Sequence, residues 1–257
     1  MIKKQNSLFE DLNIKEAIEF LRLNEPENEP YYLGFSGGKD SIVCEKLASI
    51  SGVKYIAFYS ATGIDPPELV KFIKRNYPEI IFLRPKENFY KLILKKGFPT
   101  KFSRWCCDEL KKEPGKQISL NHRIMGIRRE ESNKRAARPR IDKYKNGQVI
   151  YKPVFDWREW EIWEFIDKFK LSYPALYDEG FGRIGCVVCP FLCRNCQTQL
   201  NRAKNRWPKI YKAFESAMYE LYEDREFHRQ RVKGYSQLFD EFLENWYLGT
   251  NVKAKAK

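Results

Sequence analysis

The sequence predicts an α/β fold: a doubly wound, mainly parallel five-stranded sheet with helices on both faces and a helical C-terminal extension. Three observations carry this expectation. Short apolar runs of strand length alternate with segments of helical spacing, the pattern that builds parallel strands joined by crossover helices. A glycine pair, Gly37-Gly38, sits where the apolar run Tyr31-Tyr32-Leu33 gives way to the helical run Ile42–Ala48, as expected of a strand-to-helix turn. At 257 residues and 43% hydrophobic content, the chain is long enough for one sizeable domain and a small appendage.

The elements follow in order. Leu8, Phe9, Leu12, Ile14, Ala17, Ile18, Phe20 and Leu21 have helical spacing over 8–23, and a polar loop runs from Asn24 to Pro30. Strands are expected at 31–35, 53–59, 80–83, 122–126 and 150–154. Pro66-Pro67-Glu68 opens a helix through Arg75, since proline suits the first helical turn. Phe89–Leu94 and Leu110–Gln117 read as helical, as does Trp157–Phe169, with Trp160, Ile162, Trp163, Phe165 and Ile166 mostly inward. Residues 200–247 form the helical region, its aromatics Trp207, Tyr211, Phe214, Tyr219 and Tyr222 interleaved with charge. The expected division is an N-terminal helix and loop over 1–30, a main domain over 31–190 and a helical extension over 191–257.

The net charge is +13, and its placement is more informative than its size. Residues 84–145 carry 19 basic and 7 acidic side chains, nearly the whole excess, so this segment is expected to face a polyanion. No apolar run reaches the ~18 residues of a membrane span, and the N-terminus has no secretory pattern; a cytoplasmic protein without membrane contact is the expectation. Seven cysteines, an odd number in a chain without a secretory pattern, argue against structural disulfides. Cys44 falls on the apolar face of the first strand-following helix and reads as core. The other six lie in two groups, Cys106-Cys107 and Cys186, Cys189, Cys193, Cys196.

The segment Ser36-Gly37-Gly38-Lys39-Asp40-Ser41 has the chemistry of a phosphate site. Its glycines expose amide N–H groups, and the following helix adds its positive end. Lys39 supplies a mobile cation, Asp40 a ligand for Mg2+, and Ser36 and Ser41 hydroxyl donors. The Walker A spacing is absent, which disfavours an ordinary P-loop ATPase. Among the cysteines, four thiolates suit zinc or a 4Fe–4S cluster equally in donor number. Adjacent cysteines are awkward for a zinc knuckle, and His122 and His228 lie near neither group, which favours iron–sulfur. Cys186, Cys189, Cys193 and Cys196 by themselves also have the spacing of a compact zinc site.

These motifs resemble known ones. Ser-Gly-Gly-Lys-Asp-Ser is similar to the PP-loop of ATP pyrophosphatases, which cleave ATP between the α and β phosphates. The Cys106-Cys107 pair, the 78-residue gap and Gly185-Cys186-x-x-Cys189 resemble the cluster pattern of bacterial and plant-type adenylylsulfate reductases. Thr62-Gly63-Ile64-Asp65-x-Pro67-Glu68, Gly126-Ile127-Arg128-Arg129-Glu130-Glu131-Ser132-x-x-Arg135, Pro153-Val154-x-Asp156-Trp157 and Leu176-Tyr177-Asp178-x-Gly180 complete the set in family order. The chain is thus similar to the phosphoadenylylsulfate (PAPS) reductase-like family over about 31–190. That resemblance implies Cys106, Cys107, Cys186 and Cys189 as cluster ligands, with Cys193 and Cys196 as alternates. It implies nucleotide contacts from Ser36–Ser41, Thr62, Gly63, Gly126, Arg128 and Arg135, and catalytic roles for Lys39, Asp40, Arg128 and Arg129. Two readings stand for Asp65 and Glu68: orienting substrate or ribose, or capping the helix that Pro67 begins.

Two departures refine the resemblance. Reductases of the family replace the Lys-Asp of the loop, whereas Lys39 and Asp40 are present; and no cysteine of the reductases' Glu-Cys-Gly kind follows Cys196 in this sequence. The nearest members are then ATP-dependent sulfurtransferases of DNA phosphorothioation and related tRNA thiolation enzymes. They imply ATP, Mg2+ and a 4Fe–4S cluster as cofactors, a nucleic-acid acceptor (DNA or tRNA) and a sulfur donor such as a cysteine desulfurase. Arg202, Lys204, Arg206 and Lys209, with Trp207 and Tyr211 as stacking rings, fit that acceptor. The alternatives are an adenylylsulfate or phosphoadenylylsulfate reductase, a small-molecule adenylyltransferase, and a nucleotide-binding partner subunit with a structural cluster.

Overall fold

The structure is a computed structural model and describes residues 2–100, 102–189, 197–224 and 238–248. Its contacts divide the chain into two units. One holds the residues up to Tyr59, Glu68–Leu83 and Gln117–Ile184; the other holds Ser60–Pro67, Arg84–Lys116 and the chain from Gly185 onward. The helical C-terminal region therefore shares a unit with segments drawn from the middle of the chain.

The first unit is built on the sheet. Strands β1 (Tyr31–Gly34), β2 (Tyr55–Ser60), β3 (Ile81–Leu83), β4 (His122–Met125), β5 (Ile141–Lys143) and β6 (Val149–Tyr151) lie in the order β3-β2-β1-β4-β6-β5. β1 pairs in parallel with β2 and β4, and β4 in parallel with β6. Consecutive residues of β1 point to opposite faces, yet Tyr31, Tyr32 and Leu33 are all buried, so both faces are covered. The flanking helices are α1 (Ile2–Leu23), α2 (Lys39–Ser51), α3 (Pro67–Asn76) and α8 (Glu159–Lys168), with α2 packed between α1 and α8. Cys44 of α2 is buried, as its apolar position implies. From β1 the chain runs outward through β2 and β3, then returns to β4 on the other side of β1. The C-terminal ends of β1 and β4 therefore form the switch point at which open α/β sheets bind ligands.

Two expectations need correction. The sheet has six strands, because Ile141–Lys143 adds an antiparallel edge to β6, with Ile141 opposite Tyr151 and Lys143 opposite Val149. Three residues with one apolar side chain have no readable strand period. Beside β5 lies a buried ion pair made ten residues apart: Lys152 Nζ lies 2.7 Å from Asp142 Oδ2 and donates to the Pro139 carbonyl at 2.7 Å. Trp160, expected inward, is 51% exposed; α8 instead buries Ile162, Phe165 and Ile166, and Trp157 just before it is buried.

In the second unit, α4 (Phe89–Lys96) packs on α10 (Pro208–Glu223). Between them come α5 (Trp105–Cys107), a widened π turn over Asp108–Lys112, α6 (Glu113–Lys116) and α9 (Gln197–Arg206); α11 (Phe239–Leu248) follows. A short helix α7 (Asn133–Ala136) belongs to the first unit. Aromatic rings fill the second core. Phe89 stacks on Trp105 and on Phe214, Phe214 meets Trp246, and Trp246 Nε1 donates to the Pro99 carbonyl at 2.7 Å. Trp207 and Tyr211 are buried in this core, which overturns their reading as rings for stacking on a base. Among the described residues no helix is long and apolar enough to cross a membrane.

The Lys152–Asp142 pair supplies a stability test. Lys152→Met leaves a carboxylate at the sheet edge with Arg138 as its one ionic partner among the described residues, and removing one member of a buried pair costs about 3 kcal/mol. The expected outcome is a clearly lowered urea midpoint, restored in part by Lys152→Met combined with Asp142→Leu; equal midpoints for wild type and Lys152→Met would refute the role given to the pair.

Candidate active site

The turn at the end of β1 takes its shape from local chemistry. Gly37 has φ of +70°, a conformation unfavourable to L side chains, and a Cβ there would meet Leu69 and Ile73 of α3 at 2.7–2.9 Å. Ser41 Oγ donates to the Gly38 carbonyl at 2.8 Å and accepts from the Ser36 amide at 3.1 Å, while the Gly38 amide donates to Ser36 Oγ at 3.3 Å. The two serines thus tie the loop to itself. Gly38 is the N-cap of α2 and offers no side-chain cap, so the positive end of the helix is left to other partners. One of these is Tyr177, whose hydroxyl accepts the Lys39 amide at 3.0 Å; burial pushes the Tyr177 phenol up to about 12.

Lys39 is buried, with Nζ 3.1 Å from Glu159 Oε1 and 3.9 Å from Asp40 Oδ2. Asp40 Oδ1 accepts from Arg128 Nε at 2.5 Å. Arg128, which is 3% exposed, also donates through Nη1 to Glu130, and its backbone amide donates to Glu131 Oε2 at 3.0 Å. Burial works against the guanidinium's charge, but the Asp40 and Glu130 carboxylates outweigh it and raise the Arg128 pKa. Glu130 additionally accepts the Glu159 amide at 2.8 Å, which links the loop after β4 to the start of α8. Gly126 makes the approach of these segments sterically feasible: a Cβ there would lie 2.8–3.1 Å from the Asp40 and Ser41 backbone.

Asp40, expected to hold Mg2+, has Oδ1 accepting from Arg128 and Oδ2 3.9 Å from Lys39 Nζ. Arg128, expected to grip phosphate, donates through Nε to Asp40 and through Nη1 to Glu130, contacts that position Asp40. Arg129 is half-exposed, pairs with Asp156 at 2.9 Å and lies over the Phe155 ring, while Arg135 pairs with Glu131. Ser36 to Ser41, Gly126 and Arg128 are brought together; Arg129 and Arg135 flank them in the same unit.

The second unit gathers thiols. Cys106 and Cys107 occupy α5, and the Cys107 side chain accepts from Arg104 Nη2 at 3.8 Å. A hydrogen bond between the two thiols holds Cys107 below the usual thiol range and pushes Cys106 above it, and burial pushes Cys106 further. Cys186 lies 3.6 Å from Thr62 Oγ1 and 4.0 Å from Asp65 Oδ1, and burial raises its pKa against the opposing charge of Lys111. Lys111 responds to the Cys186 charge first, then Asp65 and Cys107, with its own pKa raised. Thr62 and Gly63, expected at the nucleotide, are therefore built into the thiol unit. Asp65 Oδ2 accepts the Thr62 amide at 2.8 Å and closes the turn that Gly63 permits with φ of +79°. The Val187 amide donates to the Ile64 carbonyl at 2.8 Å, and the Tyr211 hydroxyl donates to the Val187 carbonyl at 3.0 Å, which fixes the Cys186–Cys189 segment from both sides.

The donor chemistry of Cys106, Cys107, Cys186 and Cys189 fits an all-thiolate metal or iron–sulfur group. Among the described residues, however, no three His, Cys, Asp or Glu side chains close on a common metal position. Cys193, Cys196 and His228 lie outside the described residues.

Residues 30–192 match the phosphoadenosine phosphosulfate reductase domain. The chain belongs to this family. The uncharacterized protein MJ0066 of Methanocaldococcus jannaschii is 32% identical over 222 residues, covering 81% of this chain and 46% of that protein. The adenosine 5'-phosphosulfate reductase of Neisseria meningitidis serogroup B is 38% identical over 95 residues, 34% of this chain and 36% of that enzyme. The chain spans about half the length, or less, of these curated relatives. The crystal structure of PAPS reductase from Candida auris shares the fold at a TM-score of 0.54 and 20% identity, over 69% of this chain and 93% of that one.

Within this PAPS reductase-family domain, sequence reasoning found the loop and the cysteines but not their partners. Glu159, Arg104 and Lys111 were missed because nothing in their local pattern marks them; each acts through a contact made only in the fold. Tyr177 had a signal, its place in the Leu176-Tyr177-Asp178 motif, but no role. The Arg128–Asp40 ion pair is testable. Arg128→Met leaves Asp40 and Glu130 without their guanidinium, and is expected to cost about 3 kcal/mol in urea unfolding and to weaken ATP binding at least ten-fold by calorimetry. Wild-type affinity in a folded Arg128→Met protein would contradict the positioning role.

Proposed function

We propose that this chain is an ATP-dependent sulfurtransferase that adenylates its acceptor with release of pyrophosphate, and that the acceptor is nucleic acid, DNA or tRNA. The observation that carries this reading is the unaltered Lys39-Asp40 pair at the start of α2, with Lys39 buried among carboxylates and Asp40 anchored by Arg128. A helix N-terminus with exposed amides attracts phosphate, and a lysine beside it offsets charge that develops on a departing pyrophosphate. An acceptor oxygen attacks the α-phosphorus, the bond to the β-phosphate oxygen breaks, and pyrophosphate leaves. The persulfide of a donor such as a cysteine desulfurase then attacks the adenylated acceptor and displaces AMP, and a thiol reductant cleaves the resulting disulfide to leave one sulfur on the acceptor.

Cys106, Cys107, Cys186 and Cys189 are the residues that would hold a 4Fe–4S cluster, with zinc as the alternative occupant. Such a cluster supplies a soft site for holding sulfur or fixes the two chain segments that carry the cysteines. Arg104 and Lys111 place positive charge at these thiols and favour their deprotonated, ligating form. The short matches to adenosine 5'-phosphosulfate reductases support a second reading, reduction of an adenylylsulfate.

The test combines turnover and cofactor content. Anaerobically purified protein is expected to release pyrophosphate from ATP faster with DNA or tRNA than alone, and Lys39→Ala to lose about 10²-fold or more of that rate. Iron and sulfide near four each per chain are expected in wild type and in Cys196→Ser, with loss in Cys107→Ser. Sulfite production from an adenylylsulfate would replace the first reading by the second, and one zinc in a colourless protein would remove the cluster.

A further inference from the structure

We propose that the short helix α7, strand β5 and the turn that leads to β6, residues 133–148, form a docking surface for the phosphodiester backbone of a nucleic acid. The inference deepens the nucleic-acid reading given above and rests on it for the partner's place in the reaction. Residues 133–148 carry six basic side chains, Lys134, Arg135, Arg138, Arg140, Lys143 and Lys145, and one acidic side chain, Asp142. Asp142 is buried and consumed internally, since Lys152 Nζ lies 2.7 Å from its Oδ2 and Arg138 Nε 2.9 Å away. The acids that flank the surface are likewise taken: Glu131 by Arg135, Glu16 by Arg140 and Asp156 by Arg129. Lys134, Lys143 and Lys145 are exposed and have no carboxylate within ion-pair distance among the described residues. The surface is thus of one sign.

It is also a built surface. Arg140 donates to the Lys152 carbonyl at 3.3 Å and the Pro153 carbonyl at 2.9 Å, and the Arg140 guanidinium lies 4.0 Å from the centre of the Phe20 ring. The hairpin tip is closed by the Tyr144 amide donating to the Gln148 carbonyl at 2.8 Å, with Gly147 at φ of +84°. Tyr144 is 39% exposed at this tip; Arg138 Nη2 donates to its hydroxyl at 2.9 Å, with the guanidinium 5.5 Å from the ring centre. Cations on a rigid hairpin bind phosphates, and an exposed ring beside them offers a face to an unstacked base. Cations set beside a ring that can stack on a base suit a nucleic acid, which supplies phosphates and bases together.

The test measures binding in the full chain without ATP. Fluorescence anisotropy with a labelled tRNA and with a labelled 20-bp DNA duplex, from 50 to 200 mM KCl, distinguishes the two sources of backbone. Replacing Lys134, Lys143 and Lys145 by Ala together is expected to weaken the bound species about ten-fold or more at 100 mM and to make the log–log salt slope shallower by about two to three. Arginine at the same positions is expected to restore both. Tyr144→Ala is expected to weaken tRNA binding with the salt slope unchanged. A control that removes three charges elsewhere, Lys15→Ala, Lys71→Ala and Arg75→Ala, is expected to bind as wild type. Unchanged affinity and slope in the hairpin variant, an equal loss in the control, or no binding by wild type overturns the surface. Tighter capture on phosphatidylserine vesicles than on either nucleic acid overturns it as well. The function is judged separately by pyrophosphate release: its failure beside a hairpin-dependent affinity sinks the reaction and keeps the surface, and its success beside unchanged hairpin binding does the reverse.

Discussion

The contact on which the nucleotide-side architecture depends is the buried ion pair between Arg128 and Asp40. Arg128 follows β4 and Asp40 opens α2, so the pair ties together the two chain segments that leave the sheet at its switch point. Burying a guanidinium is costly unless its charge is met, and the Asp40 and Glu130 carboxylates accept from its Nε and Nη1. The same carboxylates reach outward: Asp40 to Lys39, Glu130 to the Glu159 amide, and Glu159 to Lys39 Nζ. A closed circuit of charge therefore fixes the lysine at the helix N-terminus. The close approach of Gly126 to the Asp40 backbone is the steric half of the same constraint.

Much of this was readable from residue order. The Ser36–Ser41 loop, the strands on either side of it and the cysteine groups follow from periodicity, glycine placement and spacing, which are local properties. What escaped depends on distance in the chain. β5 pairs with β6 and sets Asp142 against Lys152, and no three-residue window records that. Asp40 reads as a metal ligand in isolation, and its contact with Arg128, 88 residues away, is made only in the fold. Trp207 and Tyr211 illustrate the same point for helices, since rings interleaved with charge suit either a stacking surface or a core. The contacts of the second unit make them core, and the Tyr211 hydroxyl is spent on the Val187 carbonyl.

The thiol unit has its own logic. Its cysteines come from segments 78 residues apart and are held by a turn at Thr62–Asp65, by the Tyr211 hydroxyl and by the ring stack through Phe89 and Trp105. Arg104 and Lys111 set a positive field there. Membership in the phosphoadenosine phosphosulfate reductase family accounts for the fold, yet the family's fold serves more than one reaction, and the reaction must be argued from the residues at the loop. In this chain the residues at the loop are a lysine and an aspartate, both fixed by charge.

The central claim is that this loop serves to split ATP between its α and β phosphates. Phosphorus NMR of ATP incubated with the anaerobically prepared protein and its acceptor tests it most directly, because the products name the bond that broke. The account predicts AMP and pyrophosphate in equal amounts. ADP with inorganic phosphate, or unchanged ATP beside sulfite formed from an adenylylsulfate, would contradict it.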